Sequence, residues 1–193
     1  DSLRRRSART VLDQVFSCLT AWLAPILSFS MEEAWQSRFP DADGSVHLRL
    51  FPDLPATWRD DVLAAKWMKI REIRKVVTGA LEIERREKRI GSSLQASPTV
   101  YLSEDYAKHI GGVDLSEIAI VSSLTITVGD VPAHAFTLED TAGVGVLPGR
   151  AEGEKCQRCW MVKPEVGHDH ADLCHRCADV VVNNLGATPA EAV

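Results

Sequence analysis

The sequence predicts a mainly α chain in three parts: a helical bundle, a small α+β unit and a four-cysteine knuckle. Three observations carry this expectation. Apolar residues recur at helical spacing over residues 3–24 and again over 57–88. From Ile90 the texture changes to short β-branched runs bounded by Gly, Pro and Ser. Near the C-terminus "KCQRCWMVKPEVGHDHADLCHRC" places two C-x-x-C pairs 14 residues apart. The predicted divisions are 1–89, 90–148 and 149–185, with a flexible tail, "GATPAEAV", at 186–193.

The first helix is read from Val11, Leu12, Val15, Phe16, Leu19, Trp22 and Leu23. Pro25 ends it, because proline has no N–H and clashes with the preceding turn. "SMEE" then reads as a capping box, with Ser30 as the cap and Glu33 reaching back, for a short helix to about Ser37. "FPDADGSVHLRLFPDLP" is a connection rich in Pro, Gly and Asp. Thr57 is the expected cap of the next helix, with Asp60 at its third position. Leu63, Trp67, Ile70, Ile73, Val77 and Leu81 give it an apolar stripe to about Lys88, about 45 Å at 1.5 Å per residue. "SPTVYL", "EIAIVS" and "LTITV" read as strands, and "SEDYAKHIG" as a short helix capped by Ser103. "LPGRAEGEK" (147–155) reads as a linker into the cysteine segment.

Composition excludes some classes. The 193 residues are 45% hydrophobic and 25% charged, ordinary for a soluble globular protein. No apolar run reaches the roughly 18 residues that a membrane span needs. "DSLRRRSART" has no initiator Met and no apolar core, so it does not read as a signal peptide; an excised fragment or processed chain is expected. The net charge of −5 argues against nucleic acid only as an average. Residues 58–89 carry ten Lys/Arg against six Asp/Glu, a surplus of four, while the rest of the chain carries −9. A polyanion responds to such a local stripe more than to the total. The ordinary reading of those charges is a solvated face with pairs such as Glu82–Arg86, which accounts for charge but not for the surplus of bases.

Four of the five cysteines, Cys156, Cys159, Cys174 and Cys177, fall within 22 residues. A secreted disulfide scaffold spreads its cysteines, whereas clustered pairs suit a metal in a reducing compartment, the cytoplasm. The fifth, Cys18, reads as a small buried hydrophobe. The spacing C-x2-C-x14-C-x2-C is close to that of structural zinc sites, where each pair chelates one tetrahedral ion from a tight turn. A redox C-x-x-C would be expected near a βαβ pattern, which is absent. A rubredoxin-like iron site has the same ligand set and stays open. His168, His170 and His175 read as surface or supporting residues, since four cysteines already complete a tetrahedron. Such a closed site has no position for a reactive water, so it points to architecture or binding. Residues 150–185 hold five Lys/Arg and six Asp/Glu, and four thiolates on zinc add about −2, so the knuckle is not a basic finger. Its candidate nucleic-acid contacts are Arg158, Trp160, Lys163 and Arg176; Trp160 either packs over the metal or stacks on a base.

The sequence has no P-loop, no G-x-S-x-G and no H-E-x-x-H. "KHIGG" (108–112) approaches the HIGH signature of class I aminoacyl-tRNA synthetases, but its fourth position is Gly112 and no phosphate-binding context surrounds it. It reads as a helix ending at Gly111.

Four stretches together resemble the C-terminal part of the bacterial isoleucyl-tRNA synthetase family: "LAPILSFSMEEAW" (23–35), "VHLRLFPDLP" (46–55), "KWMKIREIRKVVTGALEIERREKRIGSSLQA" (66–96) and "KCQRCW…LCHRC" (155–177). They run in the family's order and cover most of the chain. The first and third occur more loosely in the valyl and leucyl relatives, and the four-cysteine element favours the isoleucyl enzyme. The resemblance implies a helical anticodon-binding domain, then a small α+β unit and a zinc-binding domain that extend the contact to the anticodon region of isoleucine tRNA. It implies one Zn²⁺ on Cys156, Cys159, Cys174 and Cys177. Activation and editing, with ATP and Mg²⁺, would belong to upstream domains, so the chain by itself is expected not to aminoacylate. A monomer working beside that upstream catalytic domain, with no membrane partner, is expected. The phosphate contacts expected on the long helix are Arg71, Arg74, Lys75, Arg85, Arg86 and Lys88, with the "RRR" at 4–6 a further one. The rival readings are a zinc-stabilised protein-interaction module without RNA and a complete small enzyme.

Overall fold

A computed structural model describes residues 2–41 and 43–184. The predicted tail at 186–193 lies outside the described residues. The described chain is mainly helical with two small sheets. It divides into two compact units between Asp60 and Asp61.

In the first unit α1 spans Leu3–Leu23, with the Ser2 hydroxyl accepting from Arg5 N–H at 3.2 Å. It stops before Pro25, as the missing N–H requires. Helix α2 spans Ser28–Arg38. It starts two residues before Ser30, and its N-cap Leu27 makes no side-chain bond, so the expected capping box does not form. Glu32 rather than Glu33 is the structural carboxylate. It accepts from Val46 N–H (2.8 Å), Ser45 Oγ (2.9 Å) and Gln36 Nε2 (3.1 Å). The Val46 N–H does most to hold its carboxyl below the ordinary range.

The connection after α2 is therefore pinned. Arg49 lies 4.0 Å over the Trp35 ring and donates to Ser17 O (3.0 Å) and Ser17 Oγ (2.8 Å). Trp35 in turn stacks on Phe16, with centroids 6.3 Å apart. Cys18 is buried, as read. Val11, Val15, Leu19 and Trp22 on α1 line an apolar groove of about 600 Å³ with Leu54 and Trp58.

In the second unit α3 spans Asp61–Arg86. Thr57 lies in a separate 3-10 turn, Ala56–Trp58, so it does not cap α3. The 26 residues make the helix about 39 Å long, shorter than expected. Ile70, Ile73, Val76, Val77, Ala80 and Leu81 are buried, whereas Leu63 and Trp67 at the other end of the predicted stripe are exposed. The buried half packs on a three-stranded sheet ordered β2-β1-β3. Strand β1 (Thr99–Leu102) pairs parallel with β2 (Thr125–Val128) and antiparallel with β3 (Val144–Leu147). Val100 and Leu102 point into the core, the alternation that a strand with one buried face requires. Gly79 lets α3 approach the loop before β3: a Cβ there would sit 2.9 Å from Phe136 Cε1.

Two expectations fail in this unit for local reasons. "EIAIVS" is not a strand, because Asp114 accepts from Ser116 and Glu117 N–H and starts helix α5 (Leu115–Ala119). That cap outweighs the β-branched composition. Strand β3 was not foreseen, since Gly143 before it and Gly145 within it dilute its pattern. Helix α4 spans Glu104–Ala107 after Ser103, whose side chain makes no cap bond. It ends before Gly111, leaving "HIGG" in a turn. The presumed linker is also tied down: Ser97 N–H donates to Gly149 O (2.7 Å) and Ala151 N–H to Gln95 O (2.8 Å).

Candidate metal centre and nucleic-acid interface

Residues 154–163 form a hairpin, β4 (Glu154–Lys155) against β5 (Val162–Lys163), with Glu154 opposite Lys163. Gly153 is required at its mouth. Its φ is +106°, and a Cβ would lie 2.3 Å from Lys163 O. The hairpin turn carries Cys156 and Cys159. Cys174 is the N-cap of α6 (His175–Asp179), and Cys177 lies in its first turn. Gln157 N–H donates to Asp172 O (2.9 Å), linking the two cysteine-bearing segments.

The four Sγ atoms lie within 4.8 Å of one another, and Cys159 Sγ stands 3.8 Å from Cys174 Sγ. A tetrahedron with Zn–S bonds of about 2.3 Å has edges of about 3.8 Å, so the donor set fits one zinc ion. Cys156, Cys174 and Cys177 are buried, and Leu173, Ala178 and Val181 close the site. The electrostatics call for a cation. Burial pushes the Cys156 thiol up, but the N–H groups of Cys159, Cys174 and Arg158 outweigh it and bring it to about 6. Burial, with the neighbouring thiols, pushes Cys174 up to about 12. Four sulfurs this close do not all ionise until a metal charge is added.

Among the described residues no histidine joins the sulfur set. His175 pairs with Asp169, and His168 sits edge-on to it with centroids 6.0 Å apart. His170 is 5% exposed, with Nδ1 2.7 Å from Ala171 O and Nε2 without a hydrogen-bond partner.

The predicted RNA contacts are scattered by their own partners. Arg74 Nε donates to Ile118 O (3.0 Å), Lys75 pairs with Asp140 (2.5 Å) and Arg85 pairs with Glu82. Arg71, Arg86 and Lys88 are exposed, and their side chains form no hydrogen bond or ion pair among the described residues. On the knuckle, Arg158 Nη1 donates to Cys177 Sγ (3.6 Å) and Arg176 Nη2 to Met161 Sδ (3.7 Å). Arg158 thus faces a sulfur of the cysteine cluster, whereas Arg176 reaches the neutral thioether of Met161. Lys163 is half-buried; the Asp114 carboxyl is held below its ordinary range chiefly by the Ser116 hydroxyl, with Lys163 contributing least.

Trp160 is not among the side chains packed on the cysteine cluster. It is 60% exposed, with Lys155 Nζ 5.3 Å from its ring centroid. Its φ of +65° is a left-handed conformation that a bulky residue rarely adopts. The bond from its N–H to Cys156 O (2.8 Å) closes the turn that imposes this. Lys155 was missed by the sequence reading; its place beside Trp160 follows from the hairpin, not from spacing alone.

Residues 1–100 match the family model described as the anticodon-binding domain of tRNA ligase. Residues 153–180 match a zinc finger found in FPG and IleRS. The isoleucine–tRNA ligase of Agrobacterium fabrum is 52% identical over 169 residues, which is 87% of this chain and 17% of that protein. The Caulobacter vibrioides ligase is 50% identical over 184 residues, 94% of this chain and 19% of the relative. The Ruegeria pomeroyi ligase is 50% identical over 179 residues, 92% and 18%. The chain thus spans less than a fifth of the length of these relatives. With four sulfurs placed for one zinc ion and more than half its length matched, the chain belongs to the family of the anticodon-binding domain of tRNA ligase and carries that zinc finger behind it.

Proposed function

We propose that this chain is the part of an isoleucine–tRNA ligase that holds the anticodon region of isoleucine tRNA. The functional division is a helical anticodon-binding part (1–89), a small α+β unit (90–148) and a zinc-binding domain (149–185). The observation that carries the reading is Trp160, a large aromatic side chain held exposed on a metal-folded turn beside Lys155. Such a platform suits an unpaired loop base, whose stacking is worth about 1–3 kcal/mol. Arg71, Arg86 and Lys88 are the cations on and beside α3 left for phosphates. Arg74, Lys75 and Arg85 reach them only by leaving their present partners. Arg158 and Arg176 act mainly through the metal site, and Lys163 flanks it.

The role is positional. Zinc holds the two cysteine-bearing segments together and supplies no reactive water. Aminoacylation with ATP and Mg²⁺ belongs to the upstream catalytic domain of such a ligase, which acts in the cytoplasm as a monomer. The test is binding of an isoleucine tRNA transcript across a KCl series, together with isoleucine-dependent pyrophosphate exchange. Expected are affinity that falls with salt, log K dropping by about 0.7–0.9 per log unit of salt for each phosphate contact, and no exchange activity. Absent or salt-insensitive binding would leave a zinc-stabilised protein-interaction module. Exchange activity would make the chain an enzyme in its own right.

A further inference from the structure

Arg150 lies in the segment read as a linker, yet its backbone is fixed. It bridges to Ala96, between the 2.7 Å Ser97–Gly149 bond and the 2.8 Å Ala151–Gln95 bond. Its side chain is exposed and forms no ion pair among the described residues. It lines two adjoining clefts within the second unit.

The first cleft, about 470 Å³, lies past the end of α3 between Lys88 and Arg150. Its carboxylate, Glu84, is already taken: Arg89 donates to it from Nε (2.6 Å) and Nη2 (2.5 Å), and this pairing holds its carboxyl below the ordinary range. Lys88 and Arg150 therefore remain on its wall as two cations that form no ion pair among the described residues. The negative end of the α3 dipole is nearby, and Arg86, which forms no ion pair among the described residues, offsets it. The second cleft, about 460 Å³, is different. Arg150 and Lys163 are matched there by Glu152 and Glu165, and the Ser97 and Ser123 hydroxyls lie 2.6 Å apart on its wall. It has no net charge for a phosphate, but it offers donors and acceptors suited to a ribose hydroxyl or a base edge.

We propose that Arg150 joins these clefts into a track for one step of RNA backbone. A phosphodiester sits between Lys88 and Arg150, and the attached ribose sits at the Ser97–Ser123 wall. The proposal rests on the RNA-binding reading above and adds to it a residue and a path. Free phosphate presents the same oxyanion chemistry, so the test includes it.

The experiment uses the full zinc-loaded chain, with melting and zinc content confirming each variant. Probes are the isoleucine tRNA anticodon stem-loop as RNA, the same sequence as DNA, and inorganic phosphate as competitor. Arg150→Gln should weaken RNA binding about tenfold at low salt, as loss of one charge-assisted contact does. It should also lower the salt slope by about 0.7–0.9, the share of one phosphate. Arg150→Lys should keep the slope. Ser97→Ala should weaken RNA binding but not DNA binding. Equal affinity and slope for wild type and Arg150→Gln would overturn the track. So would displacement of the RNA by millimolar phosphate, which would make this a free-anion site. If the wild-type chain binds no stem-loop at all, the underlying reading fails as well, and the two failures are thereby told apart.

Discussion

The core under α3 and the core of the knuckle are both buried but are held by different forces. The first gathers Ile70, Ile73, Val76, Val77, Leu102 and Val146 with ten further buried residues, an apolar mass drawn from α3, α4, α5 and the strands β1 and β3. The second has six buried residues, of which Cys156, Cys174 and Cys177 belong to the metal site. Burial of aliphatic surface stabilises the first by about 25 cal/mol per Å². The second has too little such surface, so cohesion comes from bonds to the ion. The cost is visible at Trp160, where the turn between Cys156 and Cys159, closed by the Trp160 N–H bond to Cys156 O, holds a bulky residue in a left-handed conformation.

The largest test of this contrast is removal of the metal. Chelation, or Cys156→Ser, should abolish hydrogen-exchange protection in β4, β5 and α6 and leave that of β1 and β3 in place. The lost contribution is about 10–16 kcal/mol of apparent metal binding at pH 7. One cooperative collapse of the entire chain would break the distinction. Next, Leu102→Ala should lower the stability of the aliphatic core by about 2–5 kcal/mol while zinc stays bound, as read by denaturant melting and metal analysis. Loss of zinc in that variant would mean that the cores are not separate. Trp160→Gly should stabilise the knuckle by about 1 kcal/mol, through relief of backbone strain, and weaken RNA binding by about 1–3 kcal/mol. A destabilised knuckle would show that the indole packs there after all.

The smallest effect concerns a polar link within the aliphatic unit. The Tyr106 hydroxyl donates to Glu72 at 2.6 Å, and Lys69 pairs with the same oxygen at 3.0 Å. Tyr106 first, then Lys69, hold the Glu72 carboxyl below its ordinary range. Folding therefore releases protons at this site. Its stabilisation is present above the unfolded carboxylate pKa of about 4.3 and is lost as pH falls through the lower folded value. Tyr106→Phe should cost about 1 kcal/mol at pH 7. The gap to wild type should narrow below about pH 4, and a gap independent of pH would exclude the link.

Much of this was legible in residue order, because it depends on neighbours in the chain. Helical spacing and Pro25 bounded α1 to within a residue. The C-x-x-C pairs picked out the four sulfurs that the fold gathers within 4.8 Å, since each pair is brought together by one local turn. The stretches resembling the isoleucyl-tRNA synthetases were enough to name the family that the comparisons bear out.

What tertiary structure alone decided is which polar groups meet. Arg49 on Trp35, Lys75 at Asp140, Arg74 at Ile118 O and Arg158 at a sulfur are pairings across 14 to 65 residues, and no spacing rule foretells them. Those pairings separated spent cations from available ones, and turned a basic helix into a few free positions. Arg150 passed for linker because its fixed place depends on bonds to residues 95–97, which only the folded chain brings alongside. Short-range sterics write the helices and the metal turns; charge and hydrogen bonding are satisfied through space, so the interface they leave appears only after folding.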